Sequence, residues 1–572
     1  MPTAASISIA ETLDLLDGPF EELSLGVAQG RYAFWLGSGI SRDRVDDLKP
    51  VIKRVLIHLQ TRIDPTDSTC RFRAALEEAI QLAQLSPPES PGVDPSRPVD
   101  DWASLDIVLQ RLTREYARLL DVRVVGEDPD YLLWNGVDVP ATFAAVGAEP
   151  DCEHLCLGVL GMEGVAPEVV SANWDGLIEA AVHQLSDGGD EVLQVCVRVN
   201  DLREARRKTR LVKFHGCAVR AAADPGTYRQ LIIARLSQIT DWHVNPAYKA
   251  IRDQLVNLAV TSPTLMIGLS AQDTNIQHVF ADAHSRMPWA WPSHPPAHVF
   301  AEDALGVDQR NILRYVYRAA YDMNGTAVEK SALLRAFAKP LLVGLVLKVA
   351  SLKLIALAAL AEAPGLSVVD RSNLQNGLVH LRNRVAAGGD LDRLAFTRSA
   401  IAFGSRGLSL FREGRCPPGG SRRYQAISVT ALHQLAADPS TLTSGLSELA
   451  TAIGLLGWGE MQGAWLLNPG ELVDGRDGFL LIGPPGGQAR IYFVANSEAA
   501  LKLETEGIVA EDDGDAVIVY STAPVPRQTR SPRASPGRTG LPKPRHVDMR
   551  DLLRTSNGVG ELQARFKEEA VL

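Results

Sequence analysis

The chain has 572 residues, 46% of them hydrophobic and 22% charged, enough for two to four domains with substantial cores. Its formal net charge of -10 excludes wholesale nucleic-acid binding by the molecule as a whole. Six cysteines over this length make no disulfide scaffold and point to a reducing compartment, the cytoplasm.

No Lys or Arg precedes Arg31, so no secretory leader is expected. The first predicted strand, residues 32–37, breaks into Gly37-Ser38-Gly39, followed by Ser41. A glycine turn between strand and helix brings backbone N–H groups close to a phosphate. Arg42 fills the third glycine position of the full dinucleotide fingerprint, so a turn that merely needs small residues explains the pattern equally well. The Pro- and Ser-rich stretch around residues 88–100 reads as a surface loop. Cys152 and Cys156 flank His154 in a CxxxC, but no second pair follows at metal-site spacing, so no structural zinc is expected.

The strand at 168–173 ends in Ser171-Ala172-Asn173-Trp174-Asp175, an amide and a carboxylate at a strand end. An asparagine can orient a ribose hydroxyl or a water through its donor and acceptor. Capping of the following LIEAAVHQL helix is an equally good use for Asn173 or Asp175. Strands follow at 191–199 and 210–215, the second ending in His215-Gly216. An imidazole there can take a proton at cellular pH; the bland alternative is a core histidine held by a backbone carbonyl. The strand at 264–269 ends in Gly268 and Ser270, with Asp273 beyond, and another strand follows at 297–302. Short apolar strands alternating with helical patterns predict a Rossmann-like α/β fold, a parallel sheet with crossover helices. Such a sheet places its ligand crevice at the strand ends that carry these small and polar residues.

From about 326 to 460 the pattern is mostly helical. Residues 340–364 approach membrane-spanning length, but Lys348 and Lys353 fall inside, so a buried helix and no membrane span is expected. Strands return from about 464 to 522. The GPPGG at 483–487 lacks the Gly-Lys-Ser/Thr ending of a phosphate loop and reads as a hairpin or loop. Residues 521–546 hold six prolines, six basic residues and no acid, a flexible linker whose only nucleic-acid contact would be electrostatic. A terminal helix is expected after it. The expected division is 1–320 for the sheet domain, 321–460 for a helical assembly or regulatory region, 461–522 for a small α/β domain, and 523–572 for linker and terminal helix.

In order, LGSGIS, SANWDGLIEAA, LVKFHG and IGLSAQDTNI resemble the sirtuin-like NAD-binding family, in particular the zinc-less branch found in bacterial antiphage defence. The resemblance covers roughly residues 20 to 320. It implies an NAD+ hydrolase releasing nicotinamide and ADP-ribose, with His215 as general base and Asn173 and Asp175 at the nicotinamide-ribose end. It places Gly37, Ser38, Gly39 and Ser41 along the diphosphate, with Gly268, Ser270 and Asp273 on the adenosine side. It also implies a homo-oligomer, activated by a HerA-type ATPase, a short Argonaute or a phage component. Two departures from the family's deacylases are visible: the paired CxxC zinc module is absent, and a basic insertion separates Asn173 from His215. The alternatives are an NAD-dependent protein deacylase and a non-catalytic module that binds NAD or ADP-ribose.

Overall fold

The computed structural model describes residues 3–144, 147–189, 191–286, 289–419, 421–469, 478–483, 488–522 and 543–572. Seven strands form the first sheet: β1 (Ala33–Leu36), β2 (Glu168–Ser171), β3 (Leu193–Cys196), β4 (Thr209–Lys213), β5 (Thr264–Ile267), β6 (His298–Ala301) and β7 (Leu333–Leu334). Their order is β3-β4-β2-β1-β5-β6-β7 and every pairing is parallel. The predicted Rossmann-like α/β sheet is therefore present. Parallel strands are covered on both faces, so they read as continuous apolar runs, as AFWL and TLMI do here. Phe34, Val169, Leu265 and Val299 fill one face; Trp35, Val170, Met266 and Phe300 fill the other.

β1 sits at the centre. From it the chain builds β2, β3 and β4 on one side, then crosses to β5, β6 and β7 on the other. That reversal opens the crevice beyond the carboxyl ends of β1, β2 and β5. Between β1 and β2 the chain inserts a helical layer that includes Leu48–Gln60, Arg71–Leu82 and Leu105–Arg114. Its core, with Val55, Leu76 and Leu112, closes on Ala218, Ala221 and Ile232, so the insert packs over the chain just after His215.

The helical stretch beyond the sheet differs from the continuous pattern expected. The helix Ala319–Ala332 stops, two residues add β7 to the sheet edge beside β6, and Ala338–Leu360 begins a new helix. That helix is long and apolar enough to cross a membrane. Here it is a core helix: Leu341, Leu345 and Val349 pack with the first sheet, Leu357 and Ala358 with the second core. Its lysines are buried in pairs, Lys348 Nζ donating to Asp17 at 2.6 Å and Lys353 Nζ to Glu163 at 2.7 Å.

The second sheet runs β12-β11-β10-β9-β8, built from β8 (Leu466–Asn468), β9 (Leu480–Gly483), β10 (Ala489–Val494), β11 (Ala516–Tyr520) and β12 (Arg545–Asp548). β8, β9 and β10 pair antiparallel, while β10, β11 and β12 pair parallel. Residues 484–487 of the GPPGG stretch and 523–542 of the Pro-rich stretch lie outside the described residues. Arg545 and His546, read as the end of the linker, belong instead to β12. Two terminal helices follow, Met549–Thr555 and Val559–Ala570, where one was expected. Their Leu552, Leu562 and Phe566 share a core with Ile482, Ile491 and Val517.

Candidate active site

The turns after β1 and β5 touch backbone to backbone. Gly268 adopts φ +61°, and a Cβ there would sit 2.8 Å from Gly39 Cα. Gly37 N–H donates to Ile267 O and Gly39 N–H to Gly268 O, both at 3.1 Å. These glycines thus serve loop-to-loop packing, and the N–H groups of Gly37 and Gly39 are already engaged. Of the residues expected along a diphosphate, Ser38 is exposed, and its N–H has no partner among the described residues. Ser270 is also exposed.

Ser41 is drawn inward instead. Asn173, one turn beyond β2, donates from Nδ2 to Ser41 Oγ at 3.2 Å. His154 Nε2 lies 3.2 Å from the same oxygen. The backbone settles the roles: Asp151 N–H donates to His154 Nδ1 at 3.2 Å, so the ring proton is on Nε2 and is donated to Ser41. Burial pushes the His154 pKa down to about 4, against the pull of Asp175 and Asp151, which keeps the ring neutral. Ser41 Oγ accepts two hydrogen bonds and retains its own proton for a third partner. His154 was read from sequence only as part of a cysteine pattern. The available signal was Asp151 as N-cap with His154 three residues on.

Lys213, the last residue of β4, fixes the loop that carries Asn173. Its ammonium is buried and donates to Trp174 O at 3.4 Å, to Asp175 O, and to Glu179 Oε1 at 2.8 Å. Burial alone would lower its pKa, but Glu179, Cys217 and Asp175 raise it above the usual lysine value. Asp175 itself is buried, and its Oδ1 accepts from Leu177 N–H at 3.1 Å; the N-cap of the following helix is Gly176, so neither Asn173 nor Asp175 takes the capping position.

His215 follows at the end of β4, 8% exposed. Gly216 turns the chain away with φ +96°, where a Cβ would lie 2.5 Å from Leu231 O. His215 Nε2 stands 3.0 Å from Asp273 Oδ2, at ion-pair distance though off the line of a well-formed hydrogen bond. Burial raises the Asp273 carboxyl, yet the neighbouring His215 imidazole outweighs it and holds the group below the ordinary aspartate value. Asp273, grouped in the sequence with the adenosine side, thus lies against His215. Burial raises the pKa of Tyr116, in the helical insert, and the charge of Asp273 adds to it.

Two residues beyond Asp273, Asn275 is 1% exposed, with both amide atoms unpartnered among the described residues. The buried Nε1 of Trp174 and Nδ1 of His278 also lack partners among the described residues. A buried polar group without a partner costs about 1–3 kcal/mol, so each of these atoms suits completion by a ligand or water. The described residues also bring Asp151, Cys152 and Glu153 within 4.8 Å of one another. This set is a poor cation site. Asp151 already pairs with Arg44 at 3.3 Å and Lys339 at 3.1 Å. Burial raises the Cys152 thiol and pushes Glu153 up to about 7, whereas metal ligands must give up their protons.

With the crevice and its residues in place, residues 167–320 match the profile of the SIR2-like domain family. These residues form a SIR2-like domain. The match covers roughly a quarter of the chain, from β2 through the helix after β6. No curated protein matches the chain. β1 precedes the matched residues but lies between β2 and β5, which are both within them, so the SIR2-like sheet incorporates it. A SIR2-like domain supports an NAD-related function in general.

Proposed function

We propose that the chain is an NAD+ hydrolase that splits the bond between nicotinamide and ribose. The observation that carries this is the pairing of two groups at one crevice: Asn173 bonded to Ser41, which His154 holds in turn, and His215 beside Asp273. In the reaction the C1′–N bond breaks with its electrons passing to the pyridinium nitrogen. Nicotinamide therefore leaves neutral and needs no acid. A water oxygen bonds to C1′, and its proton passes to His215, whose imidazolium Asp273 stabilises. The Asn173 amide and the Ser41 hydroxyl would hold the water or a ribose hydroxyl. Tyr116 and the helical insert would help exclude bulk solvent.

The protein deacylase reading loses support from the cysteines. No CxxC pair occurs anywhere in the sequence, and Cys70, Cys152, Cys156, Cys196 and Cys217 are all buried. A role in antiphage defence, with assembly or a partner controlling activity, is the context the family resemblance supplies. The test is NAD+ consumption by the purified protein without any peptide, with products resolved by chromatography. Nicotinamide and ADP-ribose are expected. His215→Ala and Asn173→Ala should each lower turnover by about 10²–10⁴, the usual weight of a positioned acid–base group. Near-native turnover in either variant would overturn the assignment.

A further inference from the structure

Away from His215 and Asn173, a cavity of about 300 Å³ opens between the helices Cys152–Met162, Leu177–Leu185 and Arg393–Glu413. Its wall is apolar, with Leu155, Leu185 and Ile401, and Arg398, Arg422 and Arg423 also line it. Glu149 accepts from Arg398 at 3.0 Å and from Arg422 at 3.1 Å, so two guanidinium groups share one carboxylate. Arg423 has no ion-pair partner among the described residues. The charge at the rim is therefore in positive excess beside an apolar surface. Guanidinium forks match the oxygens of a phosphate, and an apolar wall suits a flat base. The volume lies at the small end of the range for ligand pockets.

We infer that this cavity binds a phosphate-bearing nucleotide, at a site distinct from the crevice. It stands on the helices that organise the crevice: Leu155 adjoins His154, and the Leu177–Leu185 helix follows Asp175. A phosphate that takes over Arg398 and Arg422 would release Glu149, two residues before the Asp151 N–H that sets the His154 tautomer. On the hydrolase reading proposed above, this would make the ligand a regulator. The site itself can be tested without turnover.

Cys416 lines the same cavity and is the one cysteine of the six that is not buried, so a thiol reagent on the native full-length protein reports on it. The rate of its reaction with a disulfide dye is measured with ADP, with adenosine and with inorganic phosphate. ADP should slow the reaction saturably and more strongly than either of the others. Arg398→Gln and Arg423→Gln should leave the unliganded rate unchanged and raise the ADP midpoint about tenfold each, the loss of a charge-assisted contact. Arg398 is 42% exposed, so its substitution leaves the fold in place. No protection by ADP up to about 10 mM would overturn the inference, as would protection that survives both substitutions. Equal protection by inorganic phosphate would leave an adventitious anion only and reject the nucleotide.

Discussion

A hydroxyl that already accepts two hydrogen bonds has only its proton left to give, and this defines what Ser41 contributes. It accepts from Asn173 and from the neutral His154, so the Asn173 amide is fixed from behind. Ser41→Ala strands both donors, at about 1–3 kcal/mol for each buried one left unpaired. It also frees the Asn173 amide to turn, and a misplacement near 1 Å costs about 10²-fold in rate. NAD+ turnover in Ser41→Ala is therefore expected to fall about 10²-fold, while a urea titration still shows one cooperative transition. Turnover within twofold of wild type would show that Asn173 needs no such support. Asn173, Asp175 and His215 were visible in the sequence because each is a polar residue ending an apolar run. His154 was not, because its partner Ser41 is 113 positions away and only the fold joins them. Asp273 was visible, but its nearness to His215 was not, since it depends on how the loops beyond β4 and β5 meet.

At the scale of elements, the crevice depends on two turns that pass at van der Waals distance. Gly268 occupies the left-handed region, and its Cα side faces Gly39, where a methyl group has no room. Gly268→Ala must pay about 1 kcal/mol for the backbone conformation and a further steric cost for parting the turns. A loss of about 2–4 kcal/mol is expected from the urea midpoint, together with weaker NAD+ binding by titration. Unchanged stability would mean that the β1 and β5 turns are not held this closely. The strands themselves were legible because a doubly covered parallel sheet demands short continuous apolar runs, as in Phe34-Trp35-Leu36 and Leu265-Met266-Ile267. β7 was hidden because two residues, Leu333 and Leu334, carry no period and sit inside a helical composition. β12 was hidden because Arg545 and His546 pair with β11 through their backbone, which a basic, Pro-rich composition does not reveal.

Across the whole molecule, the first helix and the helical region are joined by charge as well as by packing. Asp17, at the end of the helix Ile9–Asp17, pairs with Lys348 of the helix Ala338–Leu360 and with Arg382 of the helix Val368–Ala386. Both cations are nearly buried, with side chains 8% and 4% exposed. Partial burial raises the Asp17 carboxyl, but Arg382 and then Lys348 outweigh it, so its folded pKa lies below the ordinary value. A carboxylate with a depressed folded pKa contributes stability that is fully present above its unfolded pKa, near 4, and is lost as pH falls through the folded value. Asp17→Asn leaves two buried cations without their partner. Because Asp17 is itself a third exposed, the cost should fall at the low end of the about 3–5 kcal/mol for a broken buried pair. Denaturant unfolding of wild type and Asp17→Asn should therefore differ by about 3 kcal/mol at pH 7, and the gap should narrow only below about pH 4. A gap that is constant down to pH 2 would assign the effect to packing rather than charge. A gap that closes already between pH 7 and 5 would mean that Asp17 titrates high, with burial outweighing Arg382 and Lys348.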